Sequence, residues 1–217
     1  MIHIIDEIMG AGKTSAAINY MNSNKDKKFI YITPYLDEVE RIKQNCNFEA
    51  PVNYNYNPMT KKGISKIVDL KRLLGKGSNI VTTHALFNNF DDETIDLCYA
   101  NGYELIMDEV HEVVSEYNIN KEDLNLLLSK WIKIDENGNA IWVGEENYTG
   151  KFEEIKNLCT LGALSIYSGI AMLWMFPIKV FEAFREVYIL TYMFDGQIQK
   201  YYYIRNGSSI LRTTNIL

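Results

Sequence analysis

The sequence predicts an α/β fold, a mainly parallel sheet with helices on both faces that carries a β-hairpin-containing insertion. Two observations predict it. Short apolar β-rich runs alternate with segments whose apolar residues recur at helical spacing, the pattern of strands joined by crossover helices. Between residues 131 and 177 the pattern changes to paired β-rich runs around turn residues.

The elements follow in order. Ile2 to Ile5 is a short apolar run ending in a turn of Gly and Ala, and Thr14 to Met21 has helix-forming composition, so the chain opens strand, loop, helix. Phe29-Ile30-Tyr31-Ile32 is a second strand stopped by Thr33-Pro34, and Leu36, Val39 and Ile42 sit at helical spacing between charges. Cys46 to Met59, rich in asparagine, with two prolines and two tyrosines and no periodicity, reads as an irregular surface excursion before a helix over Ser65 to Leu74. Asn79 to Thr82 is the third strand, Ala85 to Phe90 and Glu93 to Ala100 are helical turns, and Tyr103 to Met107 is a fourth strand that delivers Asp108 at its end. Trp131 to Val143 carries a hairpin signal at Asn137-Gly138, and Ser165 to Phe176 a second one turning at Ser168-Gly169. A helix near Ile178 to Phe184, a strand Val187 to Leu190 and a β-rich run Gln197 to Ile204 close the pattern. The expected division is a core over 1–130, an insertion over 131–177 and a return to the core over 178–217.

Composition bounds the function. With 217 residues, 47% of them hydrophobic, the chain can bury a sizeable core. Three separated cysteines, Cys46, Cys98 and Cys159, suggest neither a disulfide framework nor a zinc site and fit a reducing cytoplasm. The polar N-terminus has no basic leader, and the apolar run Ile170 to Phe176 is too short to span a bilayer, so no membrane partner is expected. The net charge of −6 argues against a simple basic nucleic-acid module, but it is unevenly spread: Asp91 to Asn125 holds eleven acidic residues and one lysine. A basic run at Lys61, Lys62, Lys66, Lys71, Arg72 and Lys76 reads either as a solvated helix face or as a contact for a phosphate backbone.

Two segments carry chemistry. A helix N-terminus presents unpaired N–H groups and the positive end of the helix dipole, and glycines ahead of it let the backbone curl around a phosphate. Gly10-Ala11-Gly12-Lys13-Thr14 stands directly after a strand and before a helix, so Met9, Gly10, Ala11, Gly12, Lys13 and Thr14 are candidate nucleotide-binding residues. Lys13 would reach the β- and γ-phosphates and the Thr14 hydroxyl would coordinate Mg²⁺. The full P-loop pattern has a further glycine where this chain has Glu7, a carboxylate that repels a triphosphate unless it turns away or faces a metal or base. Asp108-Glu109 follows the fourth strand, at the sheet edge where the glycine loop also lies. Alone it reads as a charged strand-to-helix corner; with the loop upstream, Asp108 would hold Mg²⁺ and Glu109 would orient and deprotonate a water attacking the γ-phosphate. His111 either relays between sites or caps the turn.

Asp108-Glu109-Val110-His111 is a DExH box, and with Gly10 to Thr14 it resembles superfamily 2 helicases, in particular the DEAD/DEAH-like helicases of bacteriophages. Tyr31-Ile32-Thr33-Pro34-Tyr35 looks like motif Ia, Ile80-Val81-Thr82-Thr83-His84 like the threonine motif that touches a nucleic-acid backbone, and Leu190-Thr191-Tyr192 stands where motif III couples hydrolysis to strand movement. The resemblance implies a RecA-like P-loop NTPase that uses ATP and Mg²⁺. It implies nucleic-acid contacts at Thr33, Thr82 and Thr83, with DNA ahead of RNA, and coupling roles for His111 and Thr191. Such motors need a second RecA-like domain with an arginine finger, which is expected here in cis or in trans because Arg205 and Arg212 lack the finger's spacing. The alternatives are a truncated helicase mimic that binds a protein partner through the insertion around Trp142 and Trp174, and another P-loop ATPase such as a packaging motor.

Overall fold

A strand buried on both faces must be apolar at successive positions, because neither face meets water. Phe29-Ile30-Tyr31-Ile32-Thr33 and Val187-Tyr188-Ile189-Leu190-Thr191 are buried at all five positions each. The computed structural model, which describes residues 1–57, 59, 60 and 62–213, places both inside one parallel sheet.

The chain runs from β1 (Ile2–Asp6) into α1 (Lys13–Ser23), β2 (Phe29–Thr33) and α2 (Leu36–Asn45). A small hairpin of β3 (Tyr54–Asn57) and β4 (Lys62–Ile64) precedes α3 (Lys66–Lys76), β5 (Ile80–Thr83), α4 (His84–Phe87), α5 (Asp92–Asn101) and β6 (Glu104–Asp108). Next come β7 (Val114–Glu116), α6 (Lys121–Lys130), β8 (Ile132–Ile134), β9 (Ala140–Trp142), α7 (Glu153–Thr160), β10 (Leu164–Tyr167) and β11 (Ala171–Met175). The chain finishes with α8 (Lys179–Glu182), β12 (Val187–Thr191), a 3₁₀ turn at Phe194–Gly196, α9 (Ile198–Arg205) and β13 (Ile210–Arg212). Two compact units divide these elements: Met1–His111 with the chain from Ile178 onward, and Glu112–Pro177.

In the first unit six strands form a sheet in the order β13-β1-β12-β6-β2-β5, with every neighbouring pair parallel. Helices cover both faces. Ala17 and Met21 of α1 and Val39 and Ile42 of α2 pack with Ile5, Phe29, Tyr31, Ile106 and Leu190 on one face. Gln199 of α9 reaches Met107, which points to the opposite face from Ile106. On that side Phe87, Phe181 and Tyr203 stack edge to face, at 5.7 Å and 5.2 Å between ring centroids. Fully burying one such aliphatic or phenyl side chain contributes about 1.5–3 kcal/mol. The helices leaving the adjacent strands β1 and β12 therefore lie on opposite faces, which opens a crevice at their C-terminal ends.

The second unit has an antiparallel sheet, β10-β11-β7, and a separate β8–β9 hairpin. Gly138 (φ 80°) sits in the β8–β9 turn, while Ser168 (φ 51°) and Gly169 (φ 69°) are both left-handed in the three-residue β10–β11 loop, where the Ile170 N–H donates to the Tyr167 carbonyl at 3.0 Å. Leu124, Leu127, Ile132, Phe152, Ile155 and Leu164 form its core. Trp142 packs against Trp131 and Tyr148, at 6.0 Å and 5.5 Å between centroids, and so belongs to this aromatic cluster.

Four sequence expectations change. The unit begins at Glu112 rather than at residue 131, because β7 pairs antiparallel with β11 and α6 buries Leu124 and Leu127 in the same core. Gln197 to Ile204 is a helix, not a strand: Gln199, Tyr202 and Tyr203 are buried together at helical spacing, which outweighs the β-preference of three tyrosines. The excursion over Cys46 to Met59 contains β3, and Glu49 bridges to Ile80 beside the sheet. In the basic run, Lys71 pairs with Asp91 and Glu93 at 2.6 Å each, and Arg72 with the buried Asp69 at 2.7 Å; Lys61, the side chain of Lys62 and residues 214–217 lie outside the described residues.

Cys46, Cys98 and Cys159 are free and buried. Among the described residues no helix is long and apolar enough to cross a membrane.

Candidate functional site

The loop after β1 is shaped by two left-handed glycines, Gly10 (φ 81°) and Gly12 (φ 84°). A Cβ at either position would meet nothing within 4 Å, so the glycines serve the backbone turn and leave open space in front of it. Gly12 is the N-cap of α1 and supplies no side-chain cap, and the first turn of α1 holds no acidic residue. Its N–H groups are thus left to whatever enters the crevice. Lys13 is buried, 8% exposed, and its Nζ donates to the carbonyls of Glu7 at 2.7 Å and Ile8 at 3.1 Å, arching back over the loop.

The acidic residues face this loop from the same sheet edge. Asp108 ends β6, and β12 alone separates β6 from β1. Two inter-strand spacings set the gap at about 9–10 Å, room for a phosphate chain and a hydrated cation. Burial pushes the Asp108 carboxyl up to about 6, helped by the neighbouring charges of Glu38 and Glu109, against the pull of Tyr31 and Lys13. Glu109 is left-handed (φ 65°), its N–H donating to the Leu190 carbonyl at 2.9 Å. A non-glycine residue costs about 1–2 kcal/mol in that conformation, which here swings the chain away from the sheet at the second carboxylate.

A groove of about 440 Å³ joins the two halves, lined by Gly10, Gly12, Lys13 and Thr14 on one side and Asp108 and Glu109 on the other. Tyr35, Glu38 and Arg41, at the start and middle of α2, complete the wall. Arg41 donates to Glu38 at 3.2 Å and to the Ser15 hydroxyl at 3.3 Å. Among the described residues, no group of three or more His, Cys, Asp or Glu side chains is arranged to hold a metal ion.

His111 is buried behind the acidic strand. His84 Nε2 lies 3.2 Å from the Asp108 carbonyl, which can only accept, so His84 carries its proton there and its Nδ1 faces His111 Nδ1 at 3.5 Å. His111 Nε2 lies 2.9 Å from the Asn88 side-chain amide, and its backbone N–H donates to Gln199 at 2.8 Å. Burial, with His84 adding to it, holds the His111 imidazole down to about 4; burial lowers His84 as well. His111 is therefore a neutral imidazole that joins the end of β6 to α4 and α9.

The threonines separate. Thr33 and Thr82 are buried, so their hydroxyls do not face solvent, while Thr83, paired with Thr33 across β2 and β5, is partly exposed. Thr191 is fully buried beside Asp6, and among the described residues its hydroxyl has no hydrogen-bond partner. Sequence reasoning missed Glu38 and Arg41 as site residues and held Tyr31 and Tyr35 only as parts of the motif Ia string. Glu38 and Arg41 read there as the charged face of an amphipathic helix. Tyr31 carried a signal: a phenol in the middle of a strand buried on both sides needs a partner for its hydroxyl.

Fold and site define an α/β protein in which a glycine- and lysine-bearing loop and a carboxylate pair open on one edge of a parallel sheet. The chain is 42% identical over 214 residues to the SPbeta prophage-derived uncharacterized protein YonV of Bacillus subtilis (strain 168). That match takes in 95% of this chain and 52% of the relative, so the chain spans about half the length of the curated protein it matches. Residues 114–174 match the YonV middle domain family and fall within the second compact unit, Glu112–Pro177.

Proposed function

We propose that this chain is an ATP-binding domain of the RecA-like P-loop type, the first half of a superfamily 2 helicase-like motor acting on nucleic acid. One observation carries the reading: the Gly10–Thr14 loop and the Asp108-Glu109 pair end two strands of one parallel sheet with a single strand between them, facing a common groove. The prophage origin printed in the relative's name agrees with the bacteriophage type of helicase that the two boxes resemble.

The residues fit a Mg²⁺–nucleotide pair. The exposed amides of α1 and the Lys13 ammonium bind the phosphates, with Lys13 exchanging its two loop carbonyls for phosphate oxygens. The Thr14 hydroxyl and Asp108 would hold the cation, a sparse protein contribution that suits a site without a ready carboxylate cage among the described residues. Burial first, and the neighbouring charges of Glu38 and Glu109 second, raise the Asp108 carboxyl, and a bound cation would offset both. When bound, Mg²⁺ withdraws charge from the transferring phosphoryl group. Glu109, set apart by its left-handed backbone, orients the attacking water and takes its proton. The nucleic-acid backbone is met by Thr83 and by main-chain groups at the ends of β2 and β5. Without an arginine finger, catalysis of this kind loses about 10³–10⁵ in rate, so the chain alone is a weak ATPase that does not unwind a duplex.

Titration calorimetry of ATP with Mg²⁺ tests the reading. The wild-type chain is expected to bind and the Lys13→Ala variant to lose binding; a correctly folded wild-type chain that takes up no nucleotide overturns it.

A further inference from the structure

We propose that Tyr31 is a positioning residue of this site, its hydroxyl donating to the Asp108 carboxylate and fixing that side chain's orientation at the groove. The inference rests on the nucleotide reading above and deepens it.

Tyr31 stands opposite Ile106 in the β2–β6 register, so it lies on the face of β6 that carries Asp108, one step behind it. Its ring is part of the hydrophobic cluster under α1 and α2 and is fully buried. Its hydroxyl ends between Thr14 and Asp108, the two side chains assigned to the metal, close enough to interact with both, yet in full hydrogen-bond geometry with no described residue. A buried hydroxyl without a partner costs about 1–3 kcal/mol, so a fold that needed only the ring would do better with phenylalanine. A phenol hydroxyl is a donor across the neutral range, so what it needs here is an acceptor. Asp108 would supply that acceptor by a small turn of its carboxyl group, and Tyr31 would then fix the side chain that is to hold the cation, as outer partners of metal ligands commonly do.

The test is Tyr31→Phe in the full chain. A residue with only a packing role predicts a change in stability and equal effects on all nucleotide binding. The expected result is different: thermal stability equal to or above wild type, affinity for ATP in EDTA within about twofold of wild type, and affinity for Mg²⁺–ATP lowered about tenfold. In an Asp108→Asn background the same substitution should add less than about twofold, because the acceptor is already altered. Unchanged Mg²⁺–ATP affinity, or equal losses with and without Mg²⁺, overturns the inference while leaving the nucleotide reading intact. A wild-type chain that binds no nucleotide removes both.

Discussion

The N-termini of α1 and α5 solve the same problem in opposite ways. Each helix begins with N–H groups that its own turns cannot satisfy. At α5, Asp91 accepts from the Thr94 N–H at 3.0 Å and from the Thr94 hydroxyl at 2.7 Å, and Asp92 and Glu93 add negative charge to the first turn. At α1, Gly12 offers no cap, no acid follows, and the space in front is open. One end is closed by its own sequence and serves the fold; the other is left open, as the proposed nucleotide site requires.

Lys13→Ala should separate the two most sharply, lowering Mg²⁺–ATP affinity by about 100-fold or more in calorimetry with little change in melting temperature. The acidic half carries the same contrast between a satisfied and an unsatisfied group, readable by pH. His111 is held at about 4 in the fold against about 6.5 in the unfolded chain, so the stability it contributes is full above 6.5 and is lost as pH falls toward 4. That loss is on the order of 2–3 kcal/mol. Asp108 has the opposite sign: raised to about 6, it takes up its proton in the folded state first, so stability is regained as pH falls through 6. In urea melts from pH 7.5 to 4 the two effects oppose each other in the wild type, so His111→Asn should gain stability as pH falls, while Asp108→Asn should be more stable at neutral pH and lose stability more steeply in acid. Gly12→Ala, forcing a Cβ into a left-handed turn, should cost about 1–2 kcal/mol and also weaken phosphate binding. Asp91→Ala should cost about 1 kcal/mol in the same melts and leave nucleotide affinity within twofold of wild type. Loss of ATP binding in that variant would mean the two helix ends are not independent.

The parts of the fold that sequence made legible are those where one local rule decides. Phe29 to Ile32 and Tyr103 to Met107 are apolar at nearly every position because both faces are covered, and Gly10 and Gly12 announce a turn that only glycine makes easily. Where long-range packing decides, sequence misled. Tyr201, Tyr202 and Tyr203 favour a strand by composition, yet burying Gln199, Tyr202 and Tyr203 on one side requires a helix. Val114 to Glu116 is too short to announce a partner sixty residues away, so the insertion's true start at Glu112 was hidden. In the site, the loop and the DExH residues stood out because each is a contiguous string. Tyr31, Glu38 and Arg41 did not, because the chemistry they join belongs to strands and helices that meet only in three dimensions.

The three cysteines give the two units separate clocks. Burial pushes the Cys98 thiol up to about 12 and the Cys159 thiol up to about 11, and raises Cys46 as well, so none offers a thiolate to an alkylating reagent while its surroundings stay closed. Cys46 and Cys98 lie in the parallel-sheet unit and Cys159 in the antiparallel one. Modification of each thiol, followed peptide by peptide in a mass spectrometer, therefore times the local opening of one unit without reference to the other.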